Sequence, residues 1–498
     1  MSITLPLRLI RNLLWPDNNT RQATTNNMTP SEKEQINLLR GWPSRALLPL
    51  PLIRAAAATV LSDPTIAYDG LLYGPDEGYL PCREAVAAWL TTFYRPMHRI
   101  PADRICISGG ASQNLGNILN VFTDPEYTRR VWFVTPAYML AFRIFEDAGF
   151  AGKMRAVPED EEGIDVEYLR REVRRSEEVA RREGNVKPRF KPERKRAKVF
   201  KHVLYCVPSF SNPSSRTMSL TRRTELVRLA REFDMLVMCD DVYDMLQWPV
   251  DGEDLAAMET AHLPRLVDID REIDDGAERE DADGFGNVVS NATFSKIAGP
   301  GMRVGWAEGT AKFAYGLGQA GVQRSGGAPC QLTSIYLTHL LTTGQLQNHI
   351  HAVLRPAYAT RYKAMLTAIE IHLLPLGFTL PQPDRDVAGG YFLWLGLPGD
   401  MQATDLTTRC QKEENLIVAP GGLFQIPGDD AVLCAQNVRL CFAWEDDEKL
   451  VEGVRRIGEV ATRLSKGIER ASEEYVLVDG NGVIDASHVD ATTHPGAA

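Results

Sequence analysis

Apolar and polar positions fall into a repeating rhythm from about residue 104 onward. Arg-Ile-Cys-Ile-Ser (104–108) is a short apolar run that stops at Gly109-Gly110, and a helical pattern rich in Asn, Leu and Ile follows. Residues 131–134 lead into Thr135-Pro136, residues 203–207 into Pro208, and residues 235–238 into Asp240-Asp241. Short apolar runs closed by turn signals predict buried strands, and their alternation with helical stretches predicts an α/β architecture with a mainly parallel sheet. Ligands in such sheets sit beyond the carboxyl ends of the strands, and the chemically unusual residues of this chain fall there.

The flanking regions read differently. Residues 36–54 hold too many prolines for a helix and too little alternation for a regular strand. Residues 81–94 predict a helix, with Val86, Ala87, Trp89 and Leu90 on its apolar side. Helical patterns over 331–341 and 355–374 lead into a second αβ unit containing Gly389–Trp394, Val438–Phe442 and a closing helix over 448–466. Apolar periodicity is lost after residue 466, so 467–498 reads as a disordered tail. A chain of 498 residues is too long for one ordinary domain. The division expected is a tail or transit segment over 1–30, an arm and part of a small domain over 31–72, a large domain over 73–330, and the rest of the small domain over 331–466. Two charged stretches, a basic one over 170–201 and an acidic one over 251–283, read as solvated insertions (about 158–201 and 251–286) on loops or an exposed helix.

Composition narrows the class. At 44% hydrophobic residues the chain can bury a sizeable core, and a net charge of −10 gives no reason to expect a nucleic-acid partner. An anionic cofactor would therefore need a local cationic site. No stretch is apolar for long enough to cross a bilayer. Eight scattered cysteines, several inside apolar runs, read as reduced core thiols, and no histidine spacing suggests a metal. Residues 1–30 carry Arg8, Arg11 and Arg21 against Asp17. The expectation is a cytoplasmic protein with a disordered start, the alternative a mitochondrial matrix protein with a transit peptide.

The candidate chemistry centres on residues 291–306, Asn-Ala-Thr-Phe-Ser-Lys-Ile-Ala-Gly-Pro-Gly-Met-Arg-Val-Gly-Trp. Apolar runs on either side place Lys296 on a turn between two short strands. A reactive amine needs burial or a neighbouring cation to bring its pKa down, and Arg303 is the nearest candidate in the sequence. Ser-Lys followed by Pro-Gly-Met-Arg-Val-Gly resembles the cofactor-lysine signature of fold-type I pyridoxal-phosphate enzymes, in particular class I/II aminotransferases of the aromatic/2-aminoadipate branch. Motifs in the matching order extend the resemblance over about residues 36–465.

The resemblance implies a large domain with a seven-stranded-type, mainly parallel sheet, a smaller α/β domain built from both chain ends, and pyridoxal 5'-phosphate as cofactor. Lys296 matches the Schiff-base lysine, and Asp240, in Asp-Asp-Val-Tyr, matches the carboxylate that keeps the ring nitrogen protonated. Tyr243 and Asn212 match the donors to the phenolic oxygen. The chain continues Asn-Pro-Ser-Ser where the family pattern usually continues Asn-Pro-Thr-Gly. Gly110, Ala111, Ser112, Thr293, Ser295 and Arg303 match the phosphate site, although Ala111 lacks the hydroxyl that many relatives carry. Tyr138 matches the aromatic residue stacked on the ring. Tyr73 matches a tyrosine that reaches the neighbouring subunit's phosphate, which implies a homodimer with shared sites. Arg439 matches the clamp for the substrate carboxylate, with Asn212 and Gly41 beside it; an arginine in an otherwise apolar strand needs an anionic partner. The implied activity is transfer of the amino group of an L-amino acid (2-aminoadipate, aromatic or large aliphatic) to a 2-oxo acid such as 2-oxoglutarate, in a ping-pong cycle. A β-lyase with the same residues is the rival reading, and a non-catalytic regulator a remote one.

Overall fold

The computed structural model describes residues 33–466, apart from 193, 251–257, 325, 328–329 and 381–385, together with two short strands, Val478–Asp479 and Gly482–Val483. The readings of the first 30 residues and of most of the carboxyl-terminal tail lie outside the described residues.

Eight strands form the large sheet: β1 (Ile105–Ser108), β2 (Arg130–Thr135), β3 (Met154–Asp160), β4 (Gly163–Ile164), β5 (His202–Cys206), β6 (Met235–Asp240), β7 (Val288–Thr293) and β8 (Gly305–Glu308). Their order is β1-β8-β7-β6-β5-β2-β3-β4, with β8 antiparallel to both neighbours, β4 a two-residue antiparallel edge, and the rest parallel. The expected seven-stranded, mainly parallel sheet is present, with the short β4 as an eighth strand.

Residues of β5, β6 and β7 are buried throughout, which is why these strands read as continuous apolar runs. Their side chains still alternate between two layers. Phe133, Tyr205, Leu236 and Met238 face the helices α1 (Ala111–Phe122) and α2 (Met139–Phe145), packing with Leu115, Ile118 and Phe142. Trp132, Leu204 and Val237 face α3 (Val166–Arg182), α4 (Leu220–Glu232) and α5 (Leu266–Glu272), packing with Leu169, Val173, Leu226 and Leu266. The period of two thus places Asp240, two residues after Met238, on the α1 side.

Gly305, where β8 starts, pairs with Ser108 of β1 and Thr293 of β7. A Cβ there would lie 2.5 Å from the Ala292 carbonyl oxygen and 3.0 Å from the Gly110 Cα, so only glycine lets three strand ends and the start of α1 meet. Gly305→Ala is expected to cost roughly 1–3 kcal/mol of stability, read as a lower denaturant midpoint at unchanged slope. An unchanged midpoint would mean that this junction has slack.

The second unit carries β9 (Phe392–Gly396), β10 (Ala419–Pro420) and β11 (Asn437–Cys441), with β11 central, and α6 (Arg355–His372) packed on α7 (Asp447–Ser465). The chain start joins it: Ile36–Asn37 pairs in parallel with Leu416–Ile417, and Arg456 of α7 donates to the carbonyls of Glu34 and Glu414. Both chain ends therefore build the smaller domain.

Three expectations are corrected. The reading of 36–54 as free of α-helix holds as far as Pro49 but not beyond it: Leu50–Leu61 is an α-helix, because Pro51 falls in its first turn, where a missing N–H costs nothing. The basic stretch is only partly an insertion: α3 buries Val166, Leu169, Val173 and Ala180, and only the segment after it is loop. In the acidic stretch α5 buries Asp268 and Asp270, with Arg265 buried at its N-cap.

Candidate active site

A cavity of about 810 Å³ opens at the carboxyl ends of the parallel strands, and Lys296, Asp240, Tyr243, Asn212, Tyr138, Ala111, Ser112, Thr293, Ser295, Arg303, Arg439 and Gly41 all line it. Lys296 ends a single 3₁₀ turn, Phe294–Lys296, directly after β7. Its Nζ donates to the Gly41 carbonyl at 3.0 Å and lies 5.2 Å from the centre of the Tyr391 ring and 5.7 Å from that of Tyr243. The Tyr391 hydroxyl donates to the Lys296 carbonyl at 3.0 Å and holds the turn. The Lys296 pKa is lowered to about 8, chiefly by burial; Arg439 acts in the same direction, while Cys441 and Asp240 oppose it. The cation beside the lysine is therefore Arg439 from β11, and not Arg303.

Asp240 sits at the end of β6, 6% exposed. The Tyr205 hydroxyl donates to its Oδ2 at 2.8 Å and the Asn291 amide to its Oδ1 at 2.9 Å. Burial raises its pKa to about 6, against the opposing effects of Tyr205, the Lys296 charge and Asn291. Such a carboxylate is ionised at neutral pH yet short of positive charge, which suits a protonated ring nitrogen. Asn291 also donates to the Ala111 carbonyl at 3.2 Å and accepts from Asn114 at 2.8 Å, tying Asp240 to α1. The sequence reading gave no role to Tyr205 or Asn291. The available signal was a polar group inside an apolar strand.

These values set a pH dependence. A protonated ring nitrogen favours ionised Asp240, so capture of pyridoxal phosphate should weaken as pH falls through about 6. Tyr205→Phe removes a donor that favours the ionised form, so the midpoint should move up by roughly one to two pH units. Fluorescence titration of apoprotein with cofactor at a series of pH values checks this; an unmoved midpoint would remove Tyr205 from the account.

A phosphate-sized corner lies at the start of α1. Gly110, with φ +104°, is its N-cap, and Ala111 and Ser112 follow in its first turn. A Cβ on Gly110 would lie 2.9 Å from the Arg303 guanidinium, so the arginine rests against the glycine itself. Helix N–H groups, a guanidinium and the Ser112 hydroxyl together make an anion site. Thr293 and Ser295 line the same corner, with their hydroxyls 2.9 Å apart and hydrogen-bonded to each other.

On the opposite side, Arg439 is 2% exposed and its pKa is lowered to about 10 by burial. The anionic partner expected from sequence is replaced by neutral ones: it donates to Asn212 Oδ1 at 2.8 Å and to the Leu39 carbonyl at 2.5 Å, and packs 4.1 Å from the Phe392 ring centre and 4.7 Å from that of Phe424. Its Nε has no hydrogen-bond partner. A buried cation at a cavity wall whose hydrogen-bond partners are all neutral can take a carboxylate. Tyr138 caps α2 close to Asp240, and Tyr243 packs edge-on against Phe392, their ring centres 6.0 Å apart. Tyr73 is 89% exposed and does not line the cavity.

The set fits pyridoxal phosphate: an amine of lowered pKa, a buried carboxylate short of positive charge, an anion corner, and a second guanidinium on the opposite wall. Among the described residues no cluster suited to a metal ion is found, and no helix is long and apolar enough to cross a membrane.

Comparison with known proteins agrees. The pattern of the family "Aminotransferase class I and II" matches residues 34–457. An uncharacterized protein of Saccharomyces cerevisiae is 35% identical over 86% of this chain and 97% of its own length. The 2-aminoadipate transaminase of Thermus thermophilus is 30% identical over 85% of this chain and 89% of its own. Among solved structures, a kynurenine aminotransferase of Pyrococcus horikoshii in complex with PMP superposes with a TM-score of 0.70 at 25% identity, covering 94% of this chain and 96% of that one.

Proposed function

Because the chain belongs to the class I and II aminotransferases, we propose that it moves the amino group of an L-amino acid with an aromatic, large aliphatic or 2-aminoadipate side chain to a 2-oxo acid such as 2-oxoglutarate. Pyridoxal 5'-phosphate is its cofactor, and when bound supplies the electron sink that acidifies the Cα–H bond of an amino acid. The observation that carries the reading is that Lys296 and Arg439 line one cavity, the amine with a pKa of about 8 and the guanidinium buried with only neutral hydrogen-bond partners.

Each residue then has a defined task. Arg439 and Asn212 hold the α-carboxylate, which fixes the Cα close to the Lys296 amine. Lys296 in its neutral form takes the Cα proton and returns it, and a pKa of about 8 suits both directions near neutral pH. Asp240, oriented by Tyr205 and Asn291, holds the ring nitrogen protonated. Gly110, Ala111, Ser112 and Arg303 bind the phosphate, Thr293 and Ser295 line that corner, and Tyr138 and Tyr243 border the ring. Tyr73, exposed in one chain, completes the site of a second copy in a homodimer.

The test is the visible spectrum of the holoenzyme. Donor amino acids should bleach the band of bound pyridoxal phosphate, and 2-oxoglutarate should restore it. Stoichiometric ammonia release with the band intact would replace transfer by the β-lyase reading.

A further inference from the structure

The grips on cofactor and carboxylate leave one wall of the cavity without a task, and segment 39–42 supplies it. The Leu39 carbonyl accepts from Arg439 at 2.5 Å and the Gly41 carbonyl accepts from Lys296 at 3.0 Å. The segment is thus laced to the carboxylate handle and to the reactive amine at once. Trp42, next to Gly41, is its first large side chain beyond the reacting atoms, and its indole lines the cavity.

That indole is held in place from outside. The Trp444 ring meets it edge-on, at 5.9 Å and 88°, and the Arg40 guanidinium sits in the corner between them, 4.9 Å from each ring centre. The Arg40 Nε is buried with no hydrogen-bond partner, and the nearby Glu445 carboxylate accepts from the Asn37 amide at 2.9 Å. Glu445 is the carboxylate that favours its charge and Arg45 a like charge nearby, while the two indoles are the π faces it packs against. Trp444 lies just beyond the strand carrying Arg439, which ties the corner to the carboxylate handle. Elsewhere the wall offers Met139, Leu140 and Ile144, and at its exposed rim Arg143 and Asp147, whose opposite charges, 2.7 Å apart, give that rim no net positive charge.

Resting on the transaminase reading, we propose that Trp42, positioned by Arg40 and Trp444, is the wall that selects the donor side chain, and that it favours aromatic and bulky apolar amino acids over 2-aminoadipate and other dicarboxylic donors. With its α-carboxylate on Arg439 and its Cα at Lys296, a donor lays its side chain along the indole. An apolar ring gains stacking and loses water there, whereas a distal carboxylate gives up hydration beside an apolar surface.

The test uses holoenzyme and two unreactive carboxylates, 3-phenylpropionate and adipate, with dissociation constants from calorimetry for wild type, Trp42→Ala, Trp42→Leu, Arg40→Met and Arg40→Lys. The cofactor absorbance reports that each variant is folded and loaded. In the wild type, phenylpropionate should bind roughly tenfold more tightly than adipate or better. Both Trp42 variants should lose about tenfold for phenylpropionate and leave adipate unchanged. Arg40→Met should shift phenylpropionate in the same direction by less, and Arg40→Lys should recover part of the loss. Half-reactions with phenylalanine and 2-aminoadipate should follow through KM rather than kcat. Equal wild-type affinity for both ligands, an equal loss of both in the Trp42 variants, or a loss of adipate alone in Arg40→Met would each overturn the proposal. If no amino acid bleaches the cofactor band, the transaminase reading fails, while the binding data still judge the wall.

Discussion

Lys296→Ala is expected to slow amino-group transfer by on the order of 10⁴-fold or more, because in the proposed reaction one side chain both anchors the cofactor and carries the Cα proton. Single-turnover absorbance with saturating donor reads the rate directly. Lys296→Arg should be no better: a guanidinium keeps its proton at any working pH and cannot act as the base. A small primary amine in the buffer should restore part of the alanine variant's rate, with greater rescue as pH rises toward the amine's own pKa. A variant within tenfold of wild type would remove Lys296 from the chemistry, whatever its place in the cavity.

Arg439→Met is expected to lower kcat/KM by about 10²- to 10³-fold, mainly through KM, since it removes the proposed charge-assisted grip on the carboxylate. Arg439→Lys should recover little. The planar fork reaches Asn212 and Leu39 at the same time and lies between the Phe392 and Phe424 rings, a geometry an ammonium cannot copy. A second readout separates this role from a structural one. Arg439 is a cation that disfavours the charged form of Lys296, so its removal should raise the Lys296 pKa above about 8. The limb of the pH–rate profile set by that amine should then move to higher pH. A fall in kcat/KM with the limb unmoved would leave Arg439 as a carboxylate clamp only.

How much of this was legible in the sequence follows from the range of each interaction. Strand ends were legible because buried parallel strands are apolar throughout and stop at turn residues, so Gly110, Asp240 and Lys296 could be placed at one edge before any geometry. The partners of Asp240 could not, because they depend on register: Asn291 stands opposite Asp240 across β6 and β7, and nothing in either strand states that pairing. Arg303 was assigned to the lysine because it is near in sequence, yet Arg439, from another domain, is the cation that acts on it. Charge composition misled in the acidic stretch for the same reason. Arg265 bonds Asp268 and Glu308, each at 2.8 Å and each almost fully buried, so charges that looked solvated neutralise one another inside the protein. Arg40 was passed over because a cation between two indoles leaves no local pattern, Trp42 being close in sequence and Trp444 remote.

The pairing of Ile36–Asn37 with Leu416–Ile417 sets an order of events during synthesis. Ile36 and Asn37 leave the ribosome hundreds of residues before the strand they must join and the helix that pins them, with Arg456 bonded to Glu34 and Glu414. Until then Gly41 has no fixed position from which to meet Lys296, and Trp42 cannot stand at the cavity wall. The large sheet can fold as a unit while the chain grows, as domains generally do, but the nascent chain cannot transfer an amino group before synthesis has passed Arg456. A truncation anywhere before residue 456 should therefore leave an inert product instead of a half-active enzyme with relaxed specificity.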